Sequence, residues 1–349
     1  MLQVRATVRN LNPYTTDENP PLLRFHANES PYNLPTKIRE SVAKKIKDFE
    51  FNHYPDADCS NIRELIAKQI GFEKENILLG NGSDELIGMI IQAFCGDDDK
   101  ILIPKPTFTM YKQIAVANNV NVAEVKLNSH FDLPGNFFEK IDFFQPKVIF
   151  LSYPNNPTGN LFNEETIEKL LENDSILTVI DEAYFHFSDK TFIEKIREKK
   201  NLIILRSFSK VGLAGIRAGY LVADPEFVRD LNKVRLPYNI NSFSQLVLTE
   251  ALNNWDEIEK NFLKVKTERE NLIKELSNFT FFNICKTSAN FVLLKVNNFK
   301  TQYIFNVLRE NDITVRYFEG SELLEHYIRV TVHKKKENTK LIKALQLIE

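Results

Sequence analysis

Between Ile77 and Asp224 the chain repeats one pattern, a short and mostly apolar run followed in many cases by an amphipathic stretch such as Asn163 to Asn173. The runs are ILLG, KILIPKP, VAEVKL, KVIFLSYP, LTVIDEAY, LIILRSFS and AGYLVAD. Strands covered on both faces read as unbroken apolar runs, and their alternation with helices predicts a largely parallel sheet. AGYLVAD follows LIILRSFS too closely for a helical crossover, so it is read as antiparallel. The prediction is an α/β fold with a mostly parallel, mixed, seven-stranded sheet.

After Asp224 the pattern changes. Pro225 to Val234 and Ser244 to Leu276 read as helices with long charged faces. NFVLLKV, the amphipathic stretch Thr301 to Asn311, DITVRYF and HYIRVTV then predict a smaller sheet with helices on it. The first 28 or so residues lack periodicity and carry Pro13, Pro20 and Pro21, which suggests an arm that wraps over another part of the protein. The expected organisation is an arm (1–28) that packs with the smaller unit, a large α/β domain (29–243) and a small α+β domain (244–349).

A length of 349 residues suits two unequal units, because single cores stop growing at roughly 250–300 residues. The 45 basic and 47 acidic residues are interleaved, which argues against nucleic acid and anionic membrane as partners. Cys59, Cys95 and Cys285 lie far apart, fitting neither a disulfide framework nor a zinc site, and the histidines form no H-x-x-x-H pattern. No metal is expected, and the reading is a soluble protein of the cytoplasm. The start MLQVRATVRNLNPY has no signal-peptide core, and no stretch has the ~18 apolar residues of a membrane span.

Candidate chemistry gathers where three apolar strands end. KVIFLSYP runs into Asn155-Asn156-Pro157-Thr158-Gly159, LTVI into Asp181-Glu182-Ala183-Tyr184, and LIILR into Ser207-Phe208-Ser209-Lys210. Asn156 and Asp181 are 25 residues apart, Asp181 and Lys210 29, each about one strand-helix-strand repeat. Ligands bind beyond the carboxyl ends of such strands. Any one fragment alone reads as an ordinary turn or cap. Together, Asp, Asn, Tyr and Lys at one rim match what a pyridine aldehyde needs to act as an electron sink. Asp181 would face the ring nitrogen, Asn156 and Tyr184 would donate to the ring oxygen, and Lys210 would form the imine and then move protons. A phosphate would sit at Gly80-Asn81-Gly82-Ser83-Asp84, with Ser83 and Asp84 read as N-cap and first turn, and Ser207, Ser209 and Arg217 adding donors.

Four segments, HANESPY (26–32), YPNNPTGN (153–160), DEAYFHF (181–187) and RSFSKVGLAGIRAGY (206–220), resemble the fold-type I aminotransferases and, within them, the histidinol-phosphate aminotransferase family. The resemblance runs from Asn12 to about Val332. It implies a pyridoxal 5′-phosphate (PLP) enzyme that converts L-histidinol phosphate and 2-oxoglutarate into imidazole-acetol phosphate and L-glutamate in histidine biosynthesis. It further implies a homodimer with shared active sites. Matched residue by residue, Lys210, Asp181, Asn156 and Tyr184 keep the roles given above. Ser83, Asp84, Ser207, Ser209 and Arg217 resemble the phosphate cradle, to which Tyr54 would add from the other subunit. Arg329 is similar to the arginine for the α-carboxylate, Arg316 to the one near the substrate phosphate, and Tyr14 and Asn28 to the lid over the substrate. Two positions depart from many relatives: Phe108 replaces a stacking tyrosine, and Lys210 to Arg217 spans seven residues rather than eight. Related readings are an aromatic amino acid aminotransferase and a threonine-phosphate decarboxylase of the same fold.

Overall fold

The computed structural model describes residues 3–9, 11–13 and 23–348. Its strands are β1 (Leu23–Phe25), β2 (Ile77–Gly80), β3 (Lys100–Lys105), β4 (Asn121–Lys126), β5 (Val148–Ser152), β6 (Leu177–Asp181), β7 (Leu202–Ser207), β8 (Gly219–Val222), β9 (Phe282–Ile284), β10 (Phe291–Val296), β11 (Ile313–Tyr317) and β12 (Tyr327–Thr331). Seven of them form one sheet in the order β2-β8-β7-β6-β5-β3-β4. β3 to β7 pair in parallel, whereas β8 runs antiparallel to both β7 and β2. The mixed sheet and its antiparallel strand are thus as the apolar runs predicted.

Every residue of β5, β6 and β7 is buried. Successive side chains point to opposite faces of a strand. Ile149 and Leu151 therefore enter one core and Val148 and Phe150 the other, each core roofed by helices. With apolar demand on both faces, these strands show no alternation in the sequence.

The smaller sheet has the order β1-β11-β12-β10-β9. β10, β11 and β12 correspond to the predicted strands. β1 and β9 add a strand at each edge, β1 parallel to β11 with Leu23 opposite Ile313. At three residues each they are too short to show periodicity. The stretch read as one helix from Ser244 to Leu276 is two, Ser242–Leu252 and Trp255–Leu276. The break falls at Asn253 and Asn254, where Asn254 Nδ2 donates back to Glu250 O at 2.9 Å, a side-chain bond that competes with continuing the helix.

Beside the parallel strands lies a buried ion pair the motifs did not reveal. Arg206 donates from Nε and Nη2 to Glu182 Oε2 at 3.0 and 2.8 Å, and Glu182 Oε1 accepts from Phe192 N at 2.7 Å. The guanidinium also lies 3.6 Å from the centroid of the Phe185 ring. Removing one member of such a pair leaves the other charge desolvated and unmatched. Glu182→Ala is expected to lower stability by about 3–5 kcal/mol, read as a drop in the urea midpoint at unchanged slope.

Candidate active site

The parallel register sets Ser152 opposite Asp181 and Asp181 opposite Leu205, so the polar segments after β5, β6 and β7 leave the sheet at one edge. A cavity of about 1160 Å³ opens there, and Asn156, Asp181, Tyr184 and Lys210 all line it. Ser83, Asp84, Ser207, Ser209 and Arg217 line it too, as do Phe108, Asn28, Arg316 and Arg329. Tyr54 is not among its lining residues; it is 80% exposed and stacks on Tyr238 at 4.4 Å. Tyr14 lies outside the described residues.

Asp181 ends β6 and is 3% exposed. Ala183 N donates to its Oδ1 at 3.0 Å and Tyr111 Oη to its Oδ2 at 2.7 Å. Burial pushes the carboxyl up to about 6, against the pull of these two donors and of the Lys210 charge. Tyr111 is itself buried, stacked on Phe150 at 5.1 Å and edge-on to Phe108 at 5.4 Å. Nothing in the MYKQ segment marks Tyr111 as polar machinery, and its partner is 70 residues away.

Lys210 stands on a 3₁₀ turn, Phe208–Val211, directly after β7. Ser209 N donates to Ser207 Oγ at 3.1 Å and Phe208 N to Ala218 O at 3.1 Å, which hold this turn rigidly. The Lys210 amine lies 5.8 Å from the centroid of the Tyr184 ring.

The side of the cavity lined by Ser83, Asp84 and Arg217, where a phosphate is expected, depends on close backbone approach. The helix Ser83–Phe94 begins with Gly82 as N-cap, at φ 80° and ψ 169°, so Ser83 and Asp84 are its first two residues and Ser83 is not the cap predicted. At φ 80° the cap position favours glycine whatever the space around it, and a Cβ on Gly219 would lie 2.9 Å from the backbone Ser83 N. Arg217 takes φ 50°, a left-handed conformation that costs roughly 1–2 kcal/mol, and its Nη2 donates to Asp84 Oδ2 at 3.0 Å. The seven-residue interval therefore still brings Arg217 to the helix start.

Arg316 and Arg329 are register partners on β11 and β12. Arg329 Nη1 donates to Asn156 Oδ1 at 2.5 Å and Nη2 to His26 O at 2.6 Å. With Oδ1 engaged, Asn156 has its Nδ2 protons left as donors.

The pattern described as aminotransferase class I and II matches residues 20–345. The chain belongs to this aminotransferase family. A histidinol-phosphate aminotransferase of Ruminiclostridium cellulolyticum is 38% identical over 99% of this chain and 98% of its own length. Among solved structures, the histidinol-phosphate aminotransferase of Clostridium acetobutylicum aligns with a TM-score of 0.84 at 27% identity, over 93% of this chain and 98% of that one. The enzyme of Sinorhizobium meliloti in complex with pyridoxal 5′-phosphate aligns at 0.89 and 20% identity, over 99% and 97%, a likeness of fold.

Aminotransferases of this family use PLP. The cavity fits that group on its own terms. A carboxyl held near 6 by burial faces the cavity that Lys210 lines, and suits a protonated ring nitrogen. A helix start capped by Gly82, approached closely by Gly219 and flanked by Arg217, suits a phosphate dianion.

Proposed function

We propose that this aminotransferase moves the amino group of L-histidinol phosphate to 2-oxoglutarate, giving imidazole-acetol phosphate and L-glutamate. The observation that carries the reading is the 38% identity, over nearly the full length, to a histidinol-phosphate aminotransferase, joined to two arginines side by side on β11 and β12 at the cavity. A substrate with one phosphate, or one with two carboxylates, presents anions that a planar guanidinium binds in bidentate fashion. Arg329 is assigned to the α-carboxylate of glutamate or 2-oxoglutarate, and Arg316 to the phosphate of histidinol phosphate.

When bound, PLP supplies the electron sink that lets a proton leave the carbon bearing the amino group. The chain's own residues do the rest. Asp181, its two oxygens fixed by Tyr111 and Ala183 N, would supply the negative charge that keeps a ring nitrogen protonated. Lys210 would hold the group through its side-chain amine, and that amine, once free, would serve as the proton carrier. Asn156 and Tyr184 would donate to the ring oxygen, and Phe108 would pack on the ring face. Ser83, Asp84, Ser207, Ser209 and Arg217 would hold and orient the phosphate.

The same reading includes a homodimer in the cytoplasm, with Tyr54 completing the phosphate site of a second copy. Phe51, Tyr54 and Leu236 are exposed at 73%, 80% and 69%, an apolar character that supports a covered face. Among the described residues no helix is long and apolar enough to cross a membrane. The division into an arm (1–28), a large domain (29–243) and a small domain (244–349) is supported by the two separate sheets and by β1 joining the smaller one.

Donor choice is tested by comparing kcat/KM for L-histidinol phosphate, phenylalanine and tyrosine with 2-oxoglutarate as acceptor. The proposal expects histidinol phosphate to lead by about 100-fold or more, the loss expected when a site built for a phosphate is left unmatched. A preference for phenylalanine or tyrosine would make this an aromatic aminotransferase, and carbon dioxide release from threonine phosphate would make it a decarboxylase.

A further inference from the structure

Asn28 is 1% exposed and takes φ 54°, a left-handed conformation that Asn accepts more readily than most residues. Its backbone is pinned on both sides. Asn28 N donates to Thr331 Oγ1 at 3.0 Å, and Asn290 Nδ2 donates to Asn28 O at 3.0 Å. The Thr331 hydroxyl has a single proton, and it donates to Asn28 Oδ1 at 3.2 Å. This makes Oδ1 the accepting end of the amide and Nδ2 the donating end. Nδ2 then donates to Tyr184 Oη at 3.0 Å. A phenol oxygen that accepts here keeps its own O–H for another partner, and Tyr184 lines the cavity.

We propose that Asn28 is a positioning residue that fixes the direction of the Tyr184 hydroxyl, so that Tyr184 meets the ring oxygen of the cofactor as a donor. The proposal rests on the PLP reading of the cavity and revises the expectation that Asn28 acts as a lid on the substrate. It also ties the two sheets together. Thr331 lies on β12 and Asn290 immediately before β10, both in or beside the smaller sheet, whereas Tyr184 follows β6 of the larger one.

The test uses the full-length protein loaded with PLP. Its readout is the pH midpoint of the visible absorbance band, together with the PLP dissociation constant. Asn28→Asp keeps the shape and the left-handed backbone but offers Tyr184 an acceptor, so the phenol O–H turns away from the cavity. A ring oxygen that loses a donor holds its shared proton more tightly. The midpoint is expected to rise by about one pH unit, as for Tyr184→Phe, with PLP binding weakened about tenfold. The other charged groups of this wall, Lys210, Asp181 and Arg329, are the same in each variant.

Asn28→Asp also adds a negative charge, and the Tyr184→Phe background separates the two effects. If Asn28 acts through the hydroxyl, adding Asn28→Asp to Tyr184→Phe moves the midpoint by less than about 0.3 pH unit. A full shift in that background would mean bare charge and would overturn the proposal. Asn28→Gly keeps the positive φ, removes the amide without adding charge, and is expected to give part of the rise. A wild-type midpoint in both Asn28→Gly and Asn28→Asp would overturn the proposal while leaving the cofactor reading intact. No visible band in the wild type would remove the cofactor reading and the proposal together.

Discussion

Lys210→Ala is expected to lower amino transfer by about 10⁴-fold or more, with the melting temperature of the cofactor-free protein nearly unchanged. Its amine reaches the cavity from a turn held by the Ser209–Ser207 and Phe208–Ala218 hydrogen bonds, all of which use backbone or other side chains. The substitution therefore removes the amine without disturbing what positions it. Lys210→Arg should be equally inactive, because a guanidinium keeps the charge but does not release its proton near neutral pH. Added methylamine should restore part of the proton-transfer rate in Lys210→Ala, whereas a structural role for Lys210 would show no such rescue. The assay is single-turnover conversion followed by the product ketone.

Asp181→Asn is expected to have opposite effects on activity and on stability. Activity should fall by about 10³-fold, since a neutral amide does not hold a proton at the facing ring nitrogen as a carboxylate does. The cofactor-free protein, however, should become more stable at neutral pH. In the folded chain the carboxyl is pushed up to about 6 from an ordinary value of 3.8, first by burial. Between those two values the folded chain keeps a proton that the unfolded chain has released, so stability falls as pH rises through the window. Above about 6 the full penalty of roughly 3 kcal/mol is in place, at 1.36 kcal/mol per pKa unit. Asp181→Asn removes that penalty, so the gain should be present at pH 7 and absent below about pH 4. Urea unfolding of both proteins across this range checks the sign, and an equal stability difference at pH 4 and pH 7 would contradict it. A site that stores such a penalty until its ligand binds is one where function is kept at the expense of stability.

The strands that carry the site were legible because burial on both faces leaves its mark as unbroken apolar runs. β5, β6 and β7 are of this kind, and the polar residues that end them stand out against it. Positions set by contacts between distant segments were not legible in the same way. Tyr111 looks like one more aromatic in an apolar helix until the fold brings it 2.7 Å from Asp181. Arg206 and Glu182 sit inside motifs already singled out, yet only the adjacency of β6 and β7 pairs them.

The start of the helix Ser83–Phe94 shows the same limit at backbone level. The sequence GNGSD marks a turn followed by a helix, but that Gly82 rather than Ser83 caps it shows only in the backbone, where Gly82 takes φ 80°. Asn28 lies in the HANESPY segment, but only the fold sets Thr331 and Asn290 beside it and its amide against Tyr184. Edge strands β1 and β9 leave too short a trace for any periodicity to register.

Lys210, which shares one cavity with Asp181, is proposed as the amine that holds PLP. Borohydride reduction of the PLP-loaded protein fixes the cofactor covalently to whichever amine holds it, and peptide mass spectrometry then locates it. One modified site, Lys210, is expected, with loss of that label when L-histidinol phosphate is added before reduction. A label on another lysine, or a label on Lys210 that histidinol phosphate leaves in place, would rule out this role for Lys210.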